Sequence, residues 1–182
     1  MSLTNGVRYT DVIKVSLIRH ATRCVGSVLL LLAIFSANIS LAATVTDVSS
    51  PTANGGYKAG DQIAIVVSFS EEVAVSGIPQ LILETGSSDA MVSFSSGSGT
   101  QNLTFVYTVE AGHTSTDLDY ESTFALALNG GSIRNVSDDE DASLVLPAPG
   151  TAGSLGANKD FLIDATAPTI SNVSSSTPNG SY

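Results

Sequence analysis

The residues best suited to chemistry are acids. Asp138-Asp-Glu-Asp141 puts four carboxylates in a row, with Arg134 four residues ahead of the first. Hard divalent cations such as calcium take six to eight oxygen ligands from carboxylates, carbonyls and water. The run lacks the glycine and distal glutamate of an EF-hand loop. It reads equally as a solvated loop, since blocks of like charge repel one another and face water. Asp117-Leu-Asp-Tyr120 adds two further acids but reads also as structural, with Tyr120 closing a corner between strands. His113, in Ala111-Gly-His-Thr-Ser, is the only histidine after residue 43. A general base needs an orienting carboxylate and an aligned nucleophile. No Gly-x-Ser-x-Gly or comparable setting accompanies it, so His113 reads as a turn residue and the chain as no enzyme. Zinc sites need several Cys or His ligands, which this stretch does not supply.

The segments that must carry these residues begin with a leader. Arg8, Lys14, Arg19 and Arg23 precede an uncharged run from Val25 to Ala43, densest at Val28–Phe35 and closing on Ser40-Leu-Ala-Ala43. A basic n-region, a short apolar h-region and small residues before a cut are the signature of a secretory signal. Residues 1–42 are therefore expected to be a signal peptide helix, the alternative being an uncleaved anchor. Cys24 lies in this leader, so the remainder carries neither cysteine nor disulfide. From Ala43 onward three Lys and Arg stand against sixteen acids, a net charge of −13. That balance repels phosphate backbones and argues against a nucleic-acid partner.

Beyond the leader the pattern is strand. Ile63, Ile65, Val67 and Phe69 alternate with Gln62, Ala64, Val66 and Ser68, and Leu103, Phe105, Tyr107 and Val109 repeat the pattern. Period-2 alternation of β-branched and aromatic residues marks half-buried strands. Weaker runs occur at 73–75, 81–83, 90–94, 124–128, 144–146 and 161–163, separated by glycine- and proline-rich turns. Within 124–128, alanine and leucine suit a helical turn equally well. About seven to nine strands at this spacing predict an all-β, Ig-like Greek-key β-sandwich over residues 43–164. Tyr57 and Tyr107 are expected to pack inward. No Trp is present and aromatics are few, which argues against a sugar-binding platform.

The chain also repeats itself. Val48-Ser-Ser-Pro-Thr-Ala-Asn-Gly-Gly-Tyr57 matches Val173-Ser-Ser-Ser-Thr-Pro-Asn-Gly-Ser-Tyr182 at seven of ten positions, 125 residues apart. Self-similarity at a fixed offset signals a repeat architecture. Residues 165–182 thus read as a Pro168-stiffened linker and the first strand of a second repeat, and the chain as the N-terminal piece of a longer protein.

Several segments have a familiar look. They are Tyr57-Lys-Ala-Gly-Asp-Gln-Ile-Ala-Ile, Glu72-Val-Ala-Val-Ser-Gly, Gly97-Ser-Gly-Thr100, Leu126-Ala-Leu-Asn-Gly-Gly131 and Asp164-Ala-Thr-Ala-Pro-Thr169. Together they resemble the bacterial Ig-like (cadherin-like) tandem repeats of large surface and adhesion proteins. The loop Arg134–Asp141 departs from the Asp-x-x-Gly-Asn turn usual in such repeats. The resemblance implies a secreted or cell-surface stalk or spacer, with a ligand-binding module using its inter-strand loops as the alternative. Its partners would be neighbouring repeats of the same chain, and a host or cell-surface ligand engaged through distal domains. It further implies calcium at module junctions, with Asp164 at the exit as a ligand beside loop acids, here Asp138, Asp139 and Asp141.

Overall fold

The computed structural model describes residues 42–174, together with 176 and 180. The expected signal segment lies outside the described residues except for Ala42, and so does most of the second Asn-Gly-x-Tyr motif. No helix among the described residues is long and apolar enough to cross a membrane.

The two alternating runs form the two central strands. β3 (Gln62–Ser76) and β6 (Thr100–Thr108) pair antiparallel, with Ile63 opposite Tyr107, Ile65 opposite Phe105 and Val67 opposite Leu103. All six of these side chains are buried. Burying one such side chain contributes roughly 1.5–3 kcal/mol, which fixes the register, since a one-residue slip would turn the whole set outward. β1 (Val45–Ser49) covers the other edge of β3, and Val48 joins the core with no exposed surface. β5 (Ala90–Ser96) follows β6, then β4 (Gln80–Leu83), then β8 (Leu126–Ala127). β9 (Ser132–Asn135) pairs the second half of β3. A smaller sheet holds β10 (Phe161–Asp164) between β2 (Gly55–Tyr57) and β7 (Thr114–Ser115), parallel to the first and antiparallel to the second.

The chain is therefore all-β, with ten described strands around one apolar cluster to which both sheets contribute. The count exceeds the seven to nine expected because pairings as short as β7 and β8 leave no readable alternation. Residues 73–75 do not form a separate strand. They continue β3 past an irregularity between Ser68 and Val73. Residues 144–146, expected as a strand, enter no ladder. Leu146 is buried and its N–H bonds the Thr123 carbonyl at 2.9 Å, while Pro147 and Pro149 just beyond deny further donors. Only Leu126 and Ala127 of 124–128 are strand, and Phe124 stays 77% exposed.

One helical turn, α1 (Leu155–Asn158), was not legible as a period. It is fixed instead by Ser154, whose hydroxyl accepts the Ala157 N–H at 3.2 Å, and by the fully buried Leu155. The β5–β6 hairpin depends on Gly97. Its φ of 108° suits glycine, and a Cβ there would run into the Asn102 carbonyl.

Candidate functional site

The acidic loop follows directly from β9. Arg134 and Asp141 form an isolated antiparallel bridge, and the Asn135 N–H bonds the Glu140 carbonyl at 2.9 Å. Between them the chain turns on Asp139, whose φ is 60°, a conformation that aspartate tolerates better than most residues. The Asn135 side-chain oxygen accepts from both the N–H and the hydroxyl of Ser137, each at 2.9 Å. The loop is thus built by short-range polar contacts, with the exposed Val136 as its one apolar member.

Its charges are directed at the arginine. Arg134 meets Asp139 through one guanidinium nitrogen at 3.2 Å and Asp141 through another at 3.2 Å. The same side chain also donates to the Asp139 carbonyl. Asp138 is held apart: one oxygen accepts the Glu140 N–H at 3.1 Å, and the other is buried with no donor. Asp164 ends β10, where one oxygen takes the Thr166 hydroxyl at 2.6 Å and the Thr166 N–H at 3.2 Å. These two bonds hold its carboxyl below the usual aspartate range.

Of the four expected calcium ligands, Asp139 and Asp141 come together, on Arg134. Asp164 is bonded by Thr166, Asp138 has only one of its oxygens bonded, by the Glu140 N–H, and no group of three or more His, Cys, Asp or Glu converges on one point among the described residues. The Arg134 guanidinium lies against the Asp139 and Asp141 carboxylates, and Asp164 holds Thr166.

The Asp117–Tyr120 stretch resolves differently. Asp119 accepts the Gly150 N–H at 2.9 Å and the Tyr120 N–H at 2.9 Å. Gly156 sits against both acids, since a Cβ on it would lie 3.0 Å from Asp119 Oδ2 and 3.5 Å from Asp117 Oδ2. Partial burial raises the Asp117 carboxyl, and the Asp160 and Asp119 carboxylates raise it further against a Phe161 backbone hydrogen bond. Tyr120 is 1% exposed and its hydroxyl donates to the Pro147 carbonyl at 2.6 Å, in a downstream segment that is not strand, instead of closing a corner between two strands.

His113 stands in the turn after β6. Its Nδ1 lies 2.9 Å from the Tyr107 hydroxyl and accepts the Glu110 N–H at 3.2 Å. The ring stacks on Tyr107 with centroids 5.8 Å apart. Burial, then the Glu110 carboxylate, pushes the Tyr107 hydroxyl up to about 12. The chain just after β10 is tied here as well, because the Gly112 N–H donates to the Ala165 carbonyl and the Ala165 N–H to the His113 carbonyl, at 2.9 and 3.0 Å. Tyr57 is only half buried, edge-on to Phe161 at 5.6 Å.

One feature was not found from the sequence. A cleft of about 390 Å³ opens between β5 and β6, with Met91 and Val106 at its edges. The signal available was parity: both are apolar residues on the outward side of an alternating strand.

The chain matches no protein-family model, no curated protein and no solved structure.

Proposed function

We propose that residues 43–164 form an Ig-like Greek-key sandwich serving as an extracellular structural repeat, a stalk or spacer of a large bacterial surface protein. The observation that carries this reading is the duplicated segment. Val48 of the first copy is fully buried in β1, whereas Val173 and Ile170 of the second are 85% and 86% exposed and enter no strand. Side chains of this kind are ordinarily buried, so the second copy has the chemistry of a β1 whose β3 lies in a following module. The bonds between Gly112, His113 and Ala165 support a joint held close to the module body, and Pro168 adds local stiffness. In this reading Asp164 lies at the joint, where a neighbouring module would have to supply most of any calcium shell.

The test uses the whole protein on its native cell. An antibody raised against residues 43–164 is expected to stain intact cells, and external protease to remove the signal. Staining only after permeabilisation overturns the reading. For the joint, a chain carrying a complete second module is expected to melt higher in millimolar calcium than in EDTA. An unchanged transition removes calcium from the proposal and leaves the stalk.

A further inference from the structure

β5 and β6 are hairpin partners, yet they pair over only part of their length. Their ladder joins Phe94 to Phe105 and Ser96 to Thr104. On one side of the ladder, Ala90–Ser93 turn to β4, with Met91 opposite Ile82 and Val92 opposite Leu81. On the other, Val106–Thr108 stay with β3, opposite Ala64, Ile63 and Gln62. Each stretch therefore has one paired edge and one edge that faces the gap. The gap is the 390 Å³ cleft, and its floor includes the buried Tyr107 and His113, held to each other by their 2.9 Å contact.

The rims carry chemistry of two kinds. Met91 is 69% exposed and Val106 is 38% exposed, so an apolar side chain projects from each strand. Among the described residues, Asp89 and Glu110 are the charged ones that line the cleft, and no Lys or Arg lines it. An unpaired strand edge presents backbone donors and acceptors that an extended chain satisfies by adding a strand. Carboxylates beside that edge select cationic segments and repel acidic ones, including a second copy of this strongly acidic chain.

We propose that this cleft captures an extended peptide segment bearing Lys or Arg. The segment pairs with the free edge of β6 at Val106–Thr108, sets alternate small apolar side chains against Met91 and Val106, and places its cations by Asp89 and Glu110. The proposal is independent of the stalk reading, since every residue it uses lies within one module.

The experiment titrates the chain into fluorescein-labelled Lys-Val-Thr-Val-Lys-Val, with Glu-Val-Thr-Val-Glu-Val as control, and follows anisotropy alongside backbone amide NMR shifts. The lysine peptide is expected to bind and the glutamate peptide not to. Amide shifts and exchange protection are expected at 90–93 and 106–108. The double variant Asp89→Lys, Glu110→Lys changes two exposed side chains and is expected to weaken binding at least about tenfold, with an unaltered circular dichroism spectrum. Absence of binding, shifts confined to other strands, or equal affinity of wild type and variant overturns the proposal. Concentration-dependent shifts at the same amides without peptide would assign the edge to a second copy, and overturn it also.

Discussion

The Tyr120 hydroxyl donates a 2.6 Å hydrogen bond to the Pro147 carbonyl, tying the loop beyond Leu146 to the end of an acidic turn 27 residues earlier. Tyr120 is bridged to Leu83, whereas Pro147 lies outside any strand, so no ladder bond joins these two residues. Tyr120→Phe keeps the ring in the core and leaves the carbonyl without its donor. A loss of about 1–2 kcal/mol is expected in urea unfolding, with an unchanged m-value. Tyr120→Ala adds a cavity and is expected to cost about 3–5 kcal/mol.

Alkaline pH should weaken the fold through the same kind of side chain. Tyr107 is raised from 10.0 to about 12, and Tyr120 is raised too, by burial first and then by Asp119 and Asp47. The folded state keeps protons that the unfolded chain releases above pH 10. Stability is therefore complete below pH 10 and is lost towards pH 12, by roughly 1.4 kcal/mol per pH unit for each such tyrosine. Denaturant midpoints measured across this window should fall for the wild type and fall less for Tyr107→Phe. The acids act at the other end with opposite signs. Asp117, raised, favours the fold as pH drops through its folded value, while Asp164, lowered, loses its contribution as pH drops through its own.

Gly131 approaches the end of β3 so closely that a Cβ on it would collide with the Ser76 carbonyl and stand 3.1 Å from that of Leu128. Both obstacles are backbone, which cannot rotate away. Gly131→Ala is expected to cost more than about 2 kcal/mol by thermal or urea unfolding. The adjacent Gly130 has open space around it and a φ of 77°. Gly130→Ala pays only for that conformation, about 1–2 kcal/mol.

Arg134 is half exposed and its partners Asp139 and Asp141 are more so. Pairs of this kind are worth little individually. Arg134→Ala is expected to lower stability by about 1 kcal/mol or less at low salt, with the difference disappearing near 1 M NaCl. The same variant leaves Asp139 and Asp141 without their cation. If the loop takes up calcium at all, the variant should show it first as a calcium-dependent rise in melting temperature.

Equivalent positions of the duplicated segment should respond unequally. Val48→Asp buries a charge in the core and is expected to unfold the module, by more than about 4 kcal/mol. Val173→Asp changes an exposed side chain and is expected to leave the melting temperature of residues 43–164 unaltered. In a chain with a complete second module, Val173→Asp should unfold that module alone. A silent Val173→Asp there would remove the repeat reading.

Much of the fold was legible because its signal is local. Ile63–Phe69 and Leu103–Val109 alternate so regularly that their inward faces follow from the two-residue period of a strand. Strands as short as β7 have no period to read, and 144–146 looked like a strand because apolar content alone does not reveal whether a ladder partner exists. The helical turn at Leu155 is set by one cap and one buried leucine, too little sequence for a pattern.

The sequence by itself determined that the chain beyond residue 43 is rich in strands, acidic and self-similar over one ten-residue segment, because period, charge and self-similarity are properties of the linear order. Only the tertiary structure decided where its polar groups point. Asp139 and Asp141 face Arg134 because a bridge between positions 134 and 141 closes the loop onto that side chain. The cleft lies where β5 stays with β4 and β6 stays with β3 while the two no longer pair with each other, a divergence that no single strand encodes. Pairing is a relation between distant segments, so the free edge it leaves becomes visible only once both partners are in place.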